Sequence, residues 1–282
     1  MHKYGSEIKL IVSDIDGTIL TSENELNPLT EEAIRAVING KRCDFTFSTG
    51  RPLLMTLPMA VYLKLKIPFI FSSGAIYDPR EGKVISASPI KSIQIEKAVR
   101  IAEKFKVGMV THTKTGMFCQ VSDKDWETIA SLKWMKGRKT NHARRVEDIK
   151  TDVPEESIRF DIFADVDWLD DIWQEVNRSI LDAYSVKMKR SIEISQFGMH
   201  KGSALIKMSQ LLNIPLKNIM AVGDSLNDIP LLQTAGYGVA MGTAPDALKE
   251  VADAVVPSAN ENGLVKALEM IHKKSSKVSV QL

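Results

Sequence analysis

Short apolar segments that alternate with amphipathic segments constrain the fold of this 282-residue chain more than any other feature. Residues 8–12 and 44–48 are predicted strands, and the segment between them is a predicted helix with Thr30 as its N-cap. A second helix, over 53–61, precedes a third apolar strand at 68–71. Strands that are apolar on both faces and connected by helices are typical of an open parallel sheet.

This pattern stops near Gly82 and resumes at Lys201. The intervening segment has predicted strands at 84–90, 107–113, 116–121, 158–164, 186–189 and 191–195, predicted helices at 92–105, 124–136 and 168–182, and a polar loop over 137–156. After Lys201 the prediction is a helix, strands at 219–222, 239–241 and 254–256, and a closing helix over 263–272. We therefore predict an α/β fold in which a doubly wound, parallel-sheet (Rossmann-like) core (1–82 and 191–282) carries an inserted α+β domain (83–190).

The composition excludes several classes of protein. With 37 basic and 35 acidic residues the net charge is +2, so the chain lacks the basic excess of a polyanion-binding surface. Its two cysteines, Cys43 and Cys119, are too few for a disulfide framework and form no thiolate zinc motif. No apolar run approaches the roughly 20 residues of a membrane span. We expect a cytoplasmic protein that binds neither nucleic acid nor membranes.

Polar motifs follow the predicted core strands at their carboxyl ends, where open α/β sheets bind ligands. Asp14 and Asp16 follow the first strand, Thr49 follows the second, and Lys201 opens a later helix. A further motif contributes Asp224, Asn227 and Asp228. We expect these four acids, the hydroxyl, the amide and the lysine to converge at one edge of the sheet.

Carboxylates that lie this close together repel each other unless a cation lies between them. No histidine or cysteine joins the cluster at metal-ligand spacing, and a site made only of oxygen ligands favours Mg²⁺. Together with Lys201 and the backbone amides at Gly17 and Gly50, such a site would stabilise a phosphoryl group. One carboxylate could then act as the nucleophile, and a second acid could protonate the leaving oxygen.

Four motifs resemble those of the haloacid dehalogenase superfamily of phosphatases. They are Asp14-Ile15-Asp16-Gly17-Thr18, Thr49-Gly50-Arg51, His200-Lys201-Gly202 and Gly223-Asp224-Ser225-Leu226-Asn227-Asp228. The insertion between the second and third motifs resembles the cap of the Cof-type (type IIB) subfamily. The resemblance continues through the segments 235–242 and 252–253, so it spans nearly the whole chain.

The resemblance implies a role for each matching residue. Asp14 would be the nucleophile and a Mg²⁺ ligand, Asp16 the general acid/base and a ligand through its main-chain oxygen, and Lys201 a catalytic cation. Asp224 would bind Mg²⁺ directly, and Asp228 would act through water or orient a neighbour. The implied substrate-binding set is Ile15, Gly17, Thr49, Gly50, Arg51 and Asn227, with Arg51 equally compatible with a structural ion pair.

Four residues depart from the family pattern. Ser73 stands where many relatives have asparagine, Pro230 and Leu231 follow the last motif where methionine is more usual, and Thr243 stands where asparagine is typical. None of them removes a group that the chemistry needs, and each could change the specificity.

The resulting hypothesis is a Mg²⁺-dependent phosphatase that hydrolyses a small phosphorylated metabolite, by default a sugar phosphate, through an aspartyl-phosphate on Asp14. The chain would be a monomer or a weak homo-oligomer. One alternative is a phosphotransferase or phosphomutase that uses the same intermediate. A second is a non-catalytic protein that binds a phosphometabolite, or RNA through the basic segment 133–145.

Overall fold

A computed structural model describes residues 7–40, 42–130, 133–135, 138–139, 143–153 and 156–275. In chain order, the strands are β1 (Leu10–Ser13), β2 (Asp44–Phe47), β3 (Phe69–Phe71), β4 (Ala75–Asp78), β5 (Lys83–Ser86), β6 (Gly108–His112), β7 (Met117–Gln120), β8 (Lys133–Met135), β9 (Arg138–Lys139), β10 (Ala143–Arg145), β11 (Arg159–Phe163), β12 (Ala183–Lys187), β13 (Ser191–Gln196), β14 (Ile219–Gly223), β15 (Tyr237–Met241) and β16 (Ala254–Val256). The α-helices are α1 (Pro28–Asn39), α2 (Leu53–Leu63), α3 (Ser92–Phe105), α4 (Asp123–Ala130), α5 (Val166–Ser179), α6 (Lys201–Leu212), α7 (Ile229–Thr234), α8 (Asp246–Val251) and α9 (Gly263–Ser275).

The core is a parallel sheet with the strand order β16-β15-β14-β1-β2. A single parallel bridge between Ser48 and Ile70 places β3 next to β2. The chain therefore winds outward from β1 in one direction and from β14 in the other, which is the doubly wound topology that the sequence predicts. The strand order reverses between β1 and β14, and such a switch point is where open α/β sheets bind ligands.

Both faces of this sheet are covered, as the uniformly apolar strands predict. Along β1, Ile11 belongs to the hydrophobic cluster that contains α1, α2 and α9. Its neighbours Leu10 and Val12 belong to the cluster that contains α6, α7 and α8. Successive side chains of a strand point to opposite faces, so the two helical layers each bury one set of residues.

The inserted segment forms a mostly antiparallel sheet with the order β10-β7-β6-β11-β13-β12, in which only β10 and β7 run parallel. Helices α3 and α5 pack on one face of this sheet over a separate apolar cluster that includes Phe160 and Ile162 of β11. Alternation along β11 turns Arg159 and Asp161 to the opposite face. We call this six-stranded sheet with its helices the cap.

Several predicted elements are wrong in detail. The predicted strand over 84–90 is the shorter β5, which pairs with β4 in a hairpin that extends from β3. The predicted helix over 124–136 ends at Ala130, because the following residues form the hairpin β8–β9 and Met135 joins the apolar cluster around α2. Residues 131, 132 and 136 of that prediction lie outside the described chain.

The polar segment 137–156, predicted as a loop, contains the short strands β9 and β10, while its residues 137, 140–142, 154 and 155 lie outside the described chain. Strand β12 lies a few residues before the predicted 186–189. The predicted N-cap Thr30 is instead buried inside α1. Asn27 is the N-cap of this helix, and its side-chain oxygen accepts a hydrogen bond from the Leu29 amide at 3.0 Å. The helix begins at Pro28 because proline favours the first helical position.

The domain boundaries at 82/83 and 190/191 stay predictions. From the strand pairing we propose that the chain enters the cap after β5 and leaves it after β13, since β5 pairs with β4 and β13 pairs with β11 and β12. Within the described residues, no helix is both long and apolar enough to cross a bilayer.

Candidate active site

The predicted motifs of the core meet at the carboxyl edge of the parallel sheet, beside the switch point between β1 and β14. Asp14 directly follows β1, and its amide donates a hydrogen bond to the Val222 carbonyl of β14 at 2.8 Å. Asp224 directly follows β14. The two carboxylates are therefore brought together by adjacent strands, although 210 positions separate them in the chain.

Lys201 is the buried centre of this site. It is the first residue of α6, its side chain is only 1% exposed, and its Nζ lies 2.6 Å from Asp14 Oδ1 and 2.6 Å from Asp228 Oδ1. Burial alone would lower the pKa of this ammonium, but the charges of Asp14 and Asp228 outweigh it and raise the pKa. Lys201 is therefore a permanent cation between two carboxylates.

Asp14, Asp224 and Asp228 form an acidic cluster in which one ligand oxygen from each lies within 4.8 Å of the others. Burial, together with repulsion from the other acids, raises the pKa of Asp14 well above its ordinary value and that of Asp224 to about 7. One lysine does not balance three carboxylates. The hard oxygen donors and the uncompensated charge fit a divalent cation such as Mg²⁺.

Backbone amides orient Asp228 within the cluster. Its Oδ2 accepts hydrogen bonds from the amides of Asp224 and Ser225, both at 3.1 Å, while its Oδ1 binds Lys201. Thr18 donates its hydroxyl hydrogen to Asp224 Oδ1 at 3.2 Å. The donors of these bonds belong to the loops that follow β1 and β14, and they fix the positions of the Asp224 and Asp228 carboxylates.

Gly17 allows the chain to approach this cluster closely. Its φ is +76°, a conformation that L side chains rarely adopt, and a Cβ at this position would lie 2.3 Å from Asp224 Oδ2. A side chain here would displace the proposed metal ligand, so the site requires glycine.

The carboxylate of Asp16 lies outside the acidic cluster. It is half-exposed and forms a bidentate ion pair with Arg51, with Nε at 2.7 Å from Oδ2 and Nη2 at 2.5 Å from Oδ1. Arg51 also donates to Asn24 Oδ1 at 2.8 Å. Of the two roles considered for Arg51, the structure shows the ion pair. The main-chain oxygen of Asp16 as a metal ligand stays a prediction.

The turn Thr49–Arg51 is held by the loop that follows β3. Ser73 N–H donates to the Thr49 carbonyl at 3.0 Å, and Ser72 N–H donates to the Arg51 carbonyl at 2.8 Å. Inside the turn, the Arg51 amide donates to Thr49 Oγ1 at 3.1 Å. Because this oxygen accepts, the Thr49 hydroxyl hydrogen can point elsewhere, for example at a phosphoryl oxygen.

A cavity of about 1000 Å³ lies between this edge of the core and the cap. Most predicted site residues line it, namely Asp14, Asp16, Gly17, Gly50, Arg51, Asp224 and Asn227. Thr49, Lys201 and Asp228 lie beneath its surface as buried partners. The side chain of Ile15 is buried in the core, so a contact with substrate could come only from its main chain.

The cap contributes a buried polar network that the sequence analysis missed. Arg159 is 7% exposed and binds Asp161 in a bidentate pair at 2.8 and 3.0 Å and Glu193 Oε1 at 2.8 Å. His112 Nε2 lies 3.3 Å from Asp161 Oδ2. Burial lowers the pKa of His112, and Arg159 lowers that of Asp161 despite its burial. The sequence of the predicted strand 158–164 shows only an alternation of polar and apolar residues, a pattern that a solvated sheet face shares.

The unusual residues differ in their relation to this cavity. Ser73 donates its hydroxyl hydrogen to Glu193 Oε2 at 3.1 Å and accepts from Arg159 at 3.2 Å, so it contacts the cap. Thr243 lines the cavity. Pro230 packs against α6, where its carbonyl oxygen would lie 2.4 Å from a Cβ on Gly202.

A doubly wound sheet with an acidic cluster and a buried lysine at its switch point defines a class of protein, an α/β enzyme with a covering cap. The sequence profile of the haloacid dehalogenase-like hydrolases matches residues 11–268. The chain belongs to this family, and the predicted class, a HAD-type phosphatase, is confirmed at the level of the family.

Individual members of the family are also similar to this chain over most of its length. The 5-amino-6-(5-phospho-D-ribitylamino)uracil phosphatase YcsE of Bacillus subtilis is 28% identical over 267 residues, which cover 93% of this chain and 95% of the relative. A haloacid dehalogenase-like hydrolase from B. subtilis superposes with a TM-score of 0.81 at 24% identity, covering 93% of this chain and 99% of its own. A HAD subclass IIB sugar phosphatase superposes with a TM-score of 0.80 at 22% identity, covering 94% and 99%. The predicted fold and Cof-type family are confirmed.

Proposed function

We propose that this protein is a Mg²⁺-dependent phosphatase that hydrolyses a small phosphorylated metabolite through an aspartyl-phosphate on Asp14. The observation that carries the proposal is the contact of Lys201 with both Asp14 and Asp228, beside a third carboxylate and under a cap. A sugar phosphate is the first substrate class to test, with an aminouracil ribityl phosphate as the second because of the similarity to YcsE. We also propose the cytoplasm as its location, with no nucleic-acid or membrane partner and a monomeric or weakly associated state.

Mg²⁺ would be held directly by Asp14 and Asp224 and through water by Asp228, with the main-chain oxygen of Asp16 as a further ligand. When bound, the ion offsets the negative charge of the carboxylates and of the phosphoryl oxygens. The chain supplies the remaining stabilisation through Lys201, the Thr49 hydroxyl, the Gly50 amide and Asn227.

In the first half-reaction, an oxygen of Asp14 attacks phosphorus, the bond to the leaving oxygen breaks, and Asp16 gives its proton to that oxygen. In the second, Asp16 as carboxylate takes a proton from water, the water oxygen attacks phosphorus, and the bond to Asp14 breaks. Arg51 occupies both carboxylate oxygens of Asp16. Asp16 must therefore leave Arg51 before it can exchange a proton with the leaving oxygen or with water.

The experiment that tests this function measures inorganic phosphate release from p-nitrophenyl phosphate and a panel of phosphorylated metabolites in Mg²⁺ buffer, without any acceptor. Asp14→Asn should lower turnover by at least about 10³-fold, since the nucleophile is lost. Asp246→Asn, an exposed carboxylate in α8, is the matched control and should retain full activity. Circular dichroism would verify that both variants are folded.

The alternatives give different results in the same assay. A phosphotransferase or phosphomutase would release little phosphate until an acceptor sugar is added. A non-catalytic binding protein would show no turnover, and its ligand affinity would survive Asp14→Asn. Retained turnover in Asp14→Asn would contradict the assignment of the nucleophile.

A further inference from the structure

The cap network described above reaches into the core at the turn that the proposed function assigns to phosphate binding. Arg159 Nη1 donates to the Gly50 carbonyl at 2.6 Å and to Ser73 Oγ at 3.2 Å. A Cβ on Gly50 would lie 2.8 Å from the same nitrogen, so the guanidinium occupies the space beside this glycine. A cap side chain is thus packed against the backbone of the core turn.

Arg159 is not itself placed to bind a phosphoryl group. A guanidinium has five N–H donors. Nε donates to Asp161, Nη2 donates to Asp161 and to Glu193, and Nη1 donates to the Gly50 carbonyl and to Ser73 Oγ. Each of the five N–H donors therefore has an acceptor. Arg159 therefore acts on the site through the groups that it contacts.

The contact with Gly50 completes the support of the turn. The carbonyls of Thr49 and Arg51 are held by amides of Ser73 and Ser72, which belong to the core. Only the middle carbonyl, that of Gly50, is held by the cap. The cap sheet therefore supplies the bond that orients the middle carbonyl of this turn.

A planar trans peptide transmits this orientation to the Thr49 hydroxyl. Fixing the Gly50 carbonyl fixes the Arg51 N–H of the same peptide plane, which points the opposite way. That N–H donates to Thr49 Oγ1 at 3.1 Å and so directs the hydroxyl hydrogen away from itself. The same network reaches Asn227, whose Nδ2 lies 3.4 Å from both oxygens of Glu193.

The loop that receives these cap contacts is strained. Ser72 and Ser73 have φ values of 44° and 58°, in the left-handed region that favours glycine. Ser72 Oγ lies 3.1 Å from His112 Nδ1 of β6, and Ser73 Oγ contacts Arg159 and Glu193. Such strain persists where surrounding contacts maintain it, and here the cap provides them.

We propose that Arg159 is a positioning residue that couples closure of the cap to assembly of the phosphate-binding turn, acting through Gly50 and Arg51 N–H on Thr49. The inference rests on the proposed phosphatase function. With the cap closed, Thr49 and Asn227 are oriented for the phosphoryl group. With the cap open, the Arg159–Asp161–Glu193 cluster stays intact within its sheet, and the Gly50 carbonyl loses its bond to Arg159.

Arg159→Lys is the variant that separates positioning from folding. Lysine keeps the positive charge beside Asp161 and Glu193. Its single ammonium group cannot bind these carboxylates and also donate to the Gly50 carbonyl, as the planar guanidinium does. We expect kcat to fall by about 100-fold, the cost of a small misplacement of a reacting group. The Ki for inorganic phosphate should rise as well, and circular dichroism verifies that the variant is folded.

A double-mutant cycle with Thr49→Ala tests whether Arg159 acts through Thr49. We expect Arg159→Lys to change kcat far less when Thr49 is already alanine. Lys91→Met, which removes an exposed cap ion pair with Asp182, is the control and should leave kcat and Ki unchanged. If Arg159→Lys does not fold, Ser73→Ala replaces it. We expect Ser73→Ala to lower kcat by about tenfold, and to change kcat far less when Thr49 is already alanine.

The outcomes are distinct. Wild-type kcat and Ki in a folded Arg159→Lys or Ser73→Ala protein would overturn the proposal, as would effects that are additive with Thr49→Ala. An active wild-type protein with those results would leave the phosphatase function intact. Absence of phosphate release from the wild-type protein would instead refute the proposed function on which the coupling rests.

Discussion

At the scale of single residues, the proposed acid/base role of Asp16 predicts a dependence on the leaving group. Asp16→Ala should lower kcat/KM for an alkyl phosphate such as a hexose phosphate by about 10²-fold or more, because its leaving alkoxide needs a proton. The loss should be much smaller for p-nitrophenyl phosphate, whose leaving group is a stable phenolate. Parallel initial-rate measurements on the two esters test this. Equal losses on both would contradict the role of Asp16 as the acid.

A second prediction at this scale concerns the Asp224 carboxyl, whose pKa burial and Asp228 raise from an ordinary 3.8 to about 7. Because the folded chain then holds the proton more tightly than the unfolded chain, this group makes the metal-free protein less stable as the pH rises from about 4 through 7. Mg²⁺ binds the ionised carboxylate and therefore competes with the proton.

The increase in melting temperature caused by saturating MgCl₂ should therefore be larger at about pH 8 than at about pH 6. Scanning calorimetry with MgCl₂ and with EDTA measures it at both values. Asp224→Asn is the control and should lose most of the increase. An increase of equal size at both pH values in the wild-type protein would argue against Mg²⁺ binding by this carboxylate.

At the scale of elements, close packing of α6 against α7 predicts a strong effect at Gly202. A Cβ on this residue would lie 2.4 Å from the Pro230 carbonyl oxygen and 2.7 Å from Thr234 Oγ1, both on α7. Gly202→Ala should force the two helices apart and destabilise the protein by about 1–3 kcal/mol. Urea unfolding measures the change. In Gly116→Ala, where the nearest atom to the new Cβ lies 3.4 Å away, we expect little effect.

The elements of the core could be predicted from the sequence because each strand is short, apolar and followed at once by a polar motif. Asp14, Thr49 and Asp224 were identified on that basis and Lys201 as the first residue of a predicted helix, and the structure brings them to one edge of the sheet. The capping of α1 was misplaced because Thr30 and Asn27 both suit an N-cap. The structure selects Asn27, with Pro28 as the first helical residue.

The cap network could not be predicted because its members share no local pattern. Arg159 and Asp161 alternate with apolar residues, as side chains on a solvated sheet face also would. They are buried because this face lies over Gly50 and Ser73, which are distant in the chain. A tertiary contact of this kind leaves no signal in the periodicity of either segment.

At the scale of the whole molecule, the cap restricts what can reach Asp14. This carboxylate is 4% exposed, and the cavity above it is bounded on the cap side by Arg159, Asp161, Phe163 and Glu193. An ester fits only if the group behind its phosphate is small enough for the cap to close, and closure also excludes water. If the proposed function is correct, we therefore expect free metabolites to be better substrates than phosphorylated side chains of proteins.

O-phosphotyrosine and a phosphotyrosine peptide test this restriction, since they share one leaving group and differ only in the attached chain. We expect kcat/KM for the peptide to be lower by at least about 100-fold, because a peptide chain at the cavity mouth holds the cap away and misplaces the phosphoryl group relative to Asp14. Phosphate release measures both rates, with p-nitrophenyl phosphate as the reference for active enzyme. Equal kcat/KM for the amino acid and the peptide would show that the closed cap is not required for turnover.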